Sequence, residues 1–340
     1  MGTSVAIIGA GRVGTALGVL LSQEGYRLTG VADIDLVHAE ACARLILSEA
    51  SEQDLAGFVS TGPCQFVGDA DIVFITTPDR EIPHVARLLA ECARGKEQPL
   101  RAGATLCHTS GALPSTILKV EGLEHVSVLS LHPLQTFPDR ETAPRLLAGA
   151  IFVLEGDPDA VAVGERLVQD LAGRAVTIEA RHKTIYHAAA CTASNYLVTL
   201  LHLAGRLLSR AGVDWDDALD MLLPLARTTL DNVASLGTHS ALTGPIERGD
   251  IATLESHLGA LRRGPDPDLQ AVYAILGLSA AALASEKGSI SPEQRGRIEE
   301  LLSAALSTSL RATGRGTSGK GGPPPSDAAE PRDPTSEREE

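Results

Sequence analysis

The sequence lacks what would tie it to a disulfide scaffold, a nucleic acid or a membrane. Its five cysteines, Cys42, Cys64, Cys92, Cys107 and Cys191, are odd in number and dispersed, without a C-x-x-C pair. Neither a disulfide framework nor a zinc site is expected, and all five read as reduced, mostly buried thiols. Bases are outnumbered: 29 Lys and Arg against 43 Asp and Glu leave a formal net charge of −14, which repels phosphate backbones and anionic lipid. Long apolar runs are missing too. Residues 5–21 have no basic leader and contain Arg12, which argues against a signal peptide. The stretch 188–208 is broken by Ser194, Asn195, His202 and Arg206 before the ~20 residues of a membrane span. A cytoplasmic protein with no nucleic-acid or membrane partner is expected.

What is present is length and patterned apolar content. The 340 residues, 44% hydrophobic, suffice for two domains. Short β-branched runs at 4–8, 28–32, 71–76, 104–108, 126–131, 151–154 and 175–178 alternate with helical periods, the pattern of a doubly wound parallel α/β sheet covered by helices. Asp35, Asp79 and Asp157 followed by Pro158 are placed to cap helices through Leu47, Ala93 and Leu171. From about residue 180 the pattern turns all-helical, with helices expected over 183–209, 216–235, 251–261, 268–285 and 292–311, the last opened by Ser291, Pro292 and Gln294. The predicted organisation is a Rossmann-like domain over 1–180, a helical substrate and dimerisation domain over 181–312, and a disordered Gly/Pro/Ser-rich tail over 313–340.

Gly9, Ala10, Gly11, Arg12, Val13 and Gly14 follow the first strand directly and open a helix. In such a G-x-G-x-x-G turn the first glycine permits the bend, the second lets a pyrophosphate reach the backbone, and the third lets helix and strand pack. Helix-terminal N–H groups then face the phosphates. A turn needing glycine only for packing is the plainer reading. Asp33, ending the second strand, suits a carboxylate accepting from adenosine ribose hydroxyls, which favours NAD over NADP; Asp33 or Asp35 could equally cap the next helix. Thr76, Thr77 and Pro78 end the fourth strand at the expected ligand crevice. The next two strands end in His108, Ser110 and Gly111, and in His132 and Gln135, offering imidazole, hydroxyl and amide groups to one crevice. Ser110 as a turn cap and His132 as a packed ring are the alternatives.

On the long helix, Lys183, His187 and Ser194 fall within about 40° of each other at 3.6 residues per turn, with Asn195 on the flank. A solvated face reads the same way. His187 is placed to lower the Lys183 pKa by its charge. Thr243 and Arg248 lie in a Thr-Gly-Pro segment that either binds a carboxylate or punctuates two helices, with Asp250 set to cap the second.

The motifs IIGAGRVGTAL (7–17), TTPDREI (76–82), HTSGAL (108–113), LHPLQTF (131–137), HKTIYHAAACTASNYLVTL (182–200) and ALTGPIERGD (241–250) carry a resemblance spanning about residues 4 to 310. The chain resembles the bacterial oxidoreductases that join a Rossmann-like domain to a helical C-terminal domain of unknown function. These are distant relatives of beta-hydroxyacid dehydrogenases, ketopantoate reductases, pyrroline-carboxylate reductases and prephenate dehydrogenases. The resemblance implies a helical domain of the 6-phosphogluconate dehydrogenase C-terminal type, an NAD or NADP cofactor, and a small carbonyl or hydroxy acid bound between the domains, while long helices with small-residue faces make a homodimer the expected assembly. It places Lys183 where the catalytic lysine of the first two relatives falls, with His187 replacing an asparagine of the hydroxyacid dehydrogenases. Ser110 and Gly111 resemble their substrate-binding serine loop, and His132-Pro133 a prephenate dehydrogenase motif. Thr243-Gly244-Pro245 suggests cyclic imine reduction instead, and a non-catalytic dinucleotide sensor is the contrasting possibility. The implied catalytic set is Lys183, His187, Ser110, His132 and Asn195, with His108, Gly111, Gln135, Thr243 and Arg248 as substrate contacts and no metal.

Overall fold

The computed structural model of the chain describes residues 2–47, 51–94 and 100–314. They divide into two compact units, the division falling between Thr199 and Leu200. Most of the expected tail, 315–340, lies outside the described residues.

The first unit is built on eight strands: β1 Ser4–Ile8, β2 Arg27–Ala32, β3 Val59–Ser60, β4 Ile72–Ile75, β5 Thr105–His108, β6 Ser127–Pro133, β7 Ile151–Gly156 and β8 Arg174–Thr177. Their order is β3-β2-β1-β4-β5-β6-β7-β8, so the order reverses beside β1, where an open α/β sheet forms its crevice. Both faces of β1 are buried. Val5 and Ile7 join the layer containing Leu17 and Leu21 of α1 (Arg12–Gln23) and Ala39 and Ile46 of α2 (Leu36–Leu47). Ala6 and Ile8 join the layer containing Val85 and Leu89 of α4 (Ile82–Arg94). A short α3 (Glu52–Phe58) precedes β3; that two-residue strand carries no apolar run for the sequence to reveal.

Three expectations need correction. The sheet is not parallel throughout, because β7 runs antiparallel to β6. The connecting helix α5 (Ala143–Leu147) has five residues, about 7.5 Å of rise, too little to run back along a seven-residue strand of about 23 Å. The chain therefore re-enters the sheet where it left, with Leu134 N donating to Ile151 O. The longer α6 (Pro158–Asp170) then restores a parallel β7–β8 pair. Second, Cys64 and Cys92 form a disulfide, leaving Cys42 and Cys107 as buried thiols and Cys191 half-buried. Dispersed spacing says nothing of Cα atoms that folding brings to 6.3 Å. Third, neither Asp79 nor Asp157 caps with its side chain. Asp79 accepts from Ser110 Oγ, and Asp157 accepts from Lys119 Nζ and Val128 N.

The expected helix over 183–209 is two helices, α7 Lys183–Ala193 and α8 Asn195–Arg210, interrupted at Ser194. The second unit continues with α9 Trp215–Ala241, α10 Ile251–Arg262, α11 Pro267–Lys287 and α12 Pro292–Gly314, and no strand occurs there among the described residues. The Ser291–Gln294 capping box forms as expected, with Ser291 N donating to Gln294 Oε1 and Gln294 N to Ser291 Oγ. Small residues let the last two helices close: Ala274, Ala281 and Ala284 of α11 share a core with Ile298 and Leu302 of α12. Among the described residues α11 alone is long and apolar enough to cross a membrane; here it supplies core to this unit.

Candidate functional site

The glycine turn has two structural glycines and one that packing does not explain. Gly9 has φ +107°, and a Cβ there would stand 2.7 Å from both Thr76 C and Thr77 N. At Gly14 a Cβ would run into Gly9 O and come within 2.5 Å of Thr76 Oγ1. These two close the junction of β1, α1 and β4, which Thr76 fastens by donating its hydroxyl to Gly9 O at 2.6 Å. Gly11, the N-cap of α1, has φ −74° and ψ −168°, extended backbone open to any residue, and a Cβ would meet nothing within 4 Å. No side chain caps the helix there, so the first amides of Arg12, Val13 and Gly14 are left for another acceptor. Ala10 N donates to Asp33 Oδ2 at 2.7 Å, and Asp35 N donates to Asp33 Oδ1 at 3.0 Å. Asp33 thus ties two turns together, while Asp35 opens α2 by accepting from Val37 N. Thr77 Oγ1 is buried with no hydrogen-bond partner, and Pro78 is exposed beside it. Open amides, an acid and an unpartnered hydroxyl along one sheet edge form a donor and acceptor set that fits a dinucleotide.

The adjacent strand ends build a second cluster. His108 is fully buried; its Nδ1 accepts from Ser110 N at 3.1 Å and its Nε2 donates to Pro114 O at 3.2 Å. With both nitrogens spent, it holds the 108–114 turn and is no substrate contact. Burial pushes its pKa down to about 4. Ser110 Oγ donates to Asp79 Oδ2 at 2.7 Å and accepts from Ala112 N and Leu113 N, so it organises the same turn. Lys183, 1% exposed, donates from Nζ to Ser110 O at 2.8 Å and to Ser130 Oγ at 2.7 Å. Ser130 pairs in register with Glu155 across β6 and β7. That buried carboxylate accepts from Ser115 N and Ser115 Oγ at 2.6 and 2.8 Å. The Lys183 pKa is pushed down to about 8, as expected, but by burial; Glu155 and Asp79 oppose the fall. The charge of His187, proposed from the sequence as the cause, is not among the influences.

His132 and His187 meet over Gly111. A Cβ on Gly111 would stand 2.7 Å from His187 Nδ1 and 2.8 Å from His132 Nε2. Tyr186 OH lies 2.6 Å from His132 Nδ1, and burial pushes the phenol pKa up to about 12. Cys191 Sγ lies 3.5 Å from His187 Nε2, and His187 Nδ1 is buried without a partner. The His132 pKa falls to about 4, first through burial and then through Lys183 and His187.

The structure brings Lys183, His187, Ser110, His132 and Gly111 together and leaves others out. Asn195 is exposed at the start of α8. Twelve positions from Lys183 is about 18 Å along and about 120° around an ideal helix, so Asn195 shares neither the level nor the face of Lys183. Gln135 is exposed and spends its amide on Leu146 O and Thr136 N. Thr243 and Arg248 are exposed in an interhelix connection of the second unit, where Asp250 caps α10 through Thr253 N as expected. Sequence reasoning missed Tyr186, Ser130, Glu155 and Asp79 as members of the cluster. Tyr186 shares the α7 face of Lys183 at i+3, and Ser130 shares the β6 face of His132 at i+2; those two signals were legible.

Residues 2–133 match a Rossmann-like domain and residues 150–280 match the domain of unknown function DUF2520. No curated protein matches the sequence. Among solved structures, a Bacteroides fragilis protein described as a candidate NADP oxidoreductase is 24% identical with a TM-score of 0.63, the match covering 83% of this chain and 98% of that one. The Thermotoga maritima protein TM1727 is 23% identical with a TM-score of 0.58, covering 90% and 100%. An NADH-preferring ketol-acid reductoisomerase from an uncultured archaeon is 18% identical with a TM-score of 0.53, covering 93% and 88%. These likenesses concern the fold. The resemblance read from the motifs is borne out: the chain is a Rossmann-like protein carrying a DUF2520 domain.

Proposed function

We propose that the chain is a nicotinamide-dinucleotide-dependent oxidoreductase acting on a small carbonyl or hydroxy acid, with a ketopantoate-like 2-oxo acid the first substrate to try. The observation that carries this is Gly11. Its neighbours in the motif are glycine because the fold closes on them, whereas Gly11 faces open space above uncapped helix amides. Those amides would hold the pyrophosphate, Asp33 the adenosine ribose hydroxyls, and Thr77 Oγ1 a polar group of the nicotinamide half. Bound there, the dinucleotide supplies or takes up hydride. The chain's own task is then the charge on the substrate oxygen, which Lys183 stabilises as an enclosed cation behind the Ser110–Gly111 peptide.

Two of the fold neighbours are described by NADP and by NADH respectively, so the fold serves both and Asp33 has to decide. A carboxylate there favours NAD(H) by repelling a ribose phosphate. The test is a fluorescence titration of the full chain with NADH and NADPH, followed by turnover on a panel of 2-oxo acids and cyclic imines. NADH binding with turnover of an oxo acid supports the proposal. Absence of binding to either nucleotide refutes it, and tight binding with no turnover across the panel makes the protein a dinucleotide sensor.

A further inference from the structure

We propose that Glu155 is the counter-charge of Lys183, a positioning residue whose carboxylate is tethered by Ser115 so that it stabilises the buried ammonium without bonding to it. Its bearing on catalysis rests on the oxidoreductase reading above, whereas the pairing rests on the geometry of the first unit alone.

An ammonium that is 1% exposed needs a compensating charge nearby. Lys183 Nζ donates to Ser110 O and Ser130 Oγ, both uncharged, and none of its hydrogen bonds among the described residues reaches a carboxylate. The sheet supplies one a single residue away. Ser130 and Glu155 stand opposite each other in the antiparallel β6–β7 ladder, so their side chains leave the same face with Cβ atoms about 4.5–5.5 Å apart. Their neighbours Leu129, Leu131 and Leu154 enter the opposite layer, which leaves the polar pair on the side where Lys183 arrives. Glu155 is itself 5% exposed, and it accepts from Ser115 N at Oε2, 2.6 Å, and from Ser115 Oγ at Oε1, 2.8 Å. With an anchor on each oxygen the carboxylate stays beside Ser130, and the lysine keeps its hydrogen bond to Ser110 O. A direct ion pair would instead draw the ammonium off the Ser110–Gly111 peptide, where the proposed reaction uses its charge.

The other groups facing Lys183 leave Glu155 the principal acid. Asp79, in the turn after β4, also favours the charged lysine, but it is exposed and bound to Ser110 Oγ. Cys107 and His108 on β5 and His132 on β6 feel the ammonium too. Burial keeps the Cys107 thiol protonated by pushing its pKa well up, and holds both imidazoles neutral by pushing theirs down to about 4. On α7 itself, Tyr186 remains a neutral phenol, its pKa raised by burial to about 12, and His187 lies one turn on from Lys183. Burial has already brought the Lys183 pKa down to about 8. Without the carboxylate opposite Ser130 it would fall further, and the lysine would lose its proton near neutral pH.

The experiment is a pH titration of the lysine side-chain carbon resonances in the full-length protein labelled with 13C-lysine. The chain has five lysines, so the Lys183 signal is the one missing from Lys183→Met. Its midpoint is expected at about pH 8 in the parent. Glu155→Gln, which keeps the shape and can still accept from Ser115 N, should lower that midpoint by about one pH unit or more. Glu155→Asp, which restores the charge, should recover most of it. A midpoint unmoved in Glu155→Gln overturns the proposal, as does Glu155→Asp behaving like Glu155→Gln. Ser115→Ala keeps the charge and frees Oε1, so it should raise the midpoint by letting the carboxylate reach the ammonium. An unchanged or lower value there overturns the tether, and this variant decides the matter if Glu155→Gln does not fold. With a substrate in hand, the alkaline fall in kcat should move with the midpoint while the KM for NADH stays; a fall that stays at the parent's pH removes Glu155 from catalysis. Failure of NADH to bind would instead sink the oxidoreductase reading, and the titration, read without cofactor, would still decide the pair.

Discussion

Replacing Gly11 and Gly14 separately by alanine should split binding from folding. At Gly11 the backbone is extended, which alanine adopts without strain, and no atom lies within 4 Å of the new methyl. The folding cost is confined to the weaker N-cap preference of alanine, at most about 1 kcal/mol. In the bound state the methyl stands where a pyrophosphate must reach the amides. Displacing one charge-assisted N–H···O bond is worth about 1.5–3 kcal/mol, which is about 10- to 100-fold in Kd. At Gly14 the methyl instead runs into Gly9 O and Thr76 Oγ1. Overpacking of that kind costs about 1–3 kcal/mol or more in stability, before any ligand is added. Urea denaturation of the unliganded variants and fluorescence titration with NADH measure the two quantities independently. If Gly11→Ala binds NADH as tightly as the parent, residue 11 is not the phosphate seat. If it unfolds as readily as Gly14→Ala, the distinction between the two glycines is wrong.

Four further outcomes are expected. His108 is held neutral, its pKa lowered to about 4 from 6.5 by burial, so the unfolded chain takes up a proton that the fold refuses. Its stabilising effect is complete above pH 6.5 and is lost as pH falls toward 4, by up to about 3 kcal/mol; the urea midpoint should drop between pH 7 and pH 5, and less steeply in His108→Asn. Asp33→Ser should move the NADH-to-NADPH affinity ratio toward NADPH, and an unchanged ratio would make Asp33 only the tie between two turns. Lys183→Met should lower kcat about 100- to 1,000-fold with NADH affinity nearly unchanged, and the parent's kcat should decline as pH rises through about 8, where Lys183 loses its charge. The homodimer expected from the sequence would cover α9, which buries only Ala218 of its 27 residues and exposes Met221, Leu225 and Leu230; Leu225→Glu should shift sedimentation toward monomer, and a parent that already sediments as a monomer would end that expectation.

The sequence revealed what depends on local chemistry. The glycine turn, the acid ending β2, the Ser291 capping box and the helical second half each follow from residues within a few positions of one another, where capping, turn geometry and hydrophobic period act. What it hid depends on distance across the fold. Cys64 and Cys92 meet only because the segment before β4 returns to α4, and Asp79 gives up a helix start because Ser110, 31 positions on, donates to it. The antiparallel β7 turns on the length of one short helix rather than on any strand composition.

The stripe on α7 shows where the two kinds of information meet. A helical wheel reports angle and discards rise: Ser194 shares the angle of Lys183, yet it lies three turns further on, at the break between α7 and α8, with Asn195 beyond it. The same periodicity places Tyr186 one turn from Lys183. Its significance comes from His132, 54 positions earlier on β6, whose Nδ1 it meets at 2.6 Å. Once the sheet carries His132 to the helix, its Nδ1 shares a hydrogen bond with the phenol, and its Nε2 closes with His187 over Gly111 so tightly that a side chain at residue 111 would run into both rings.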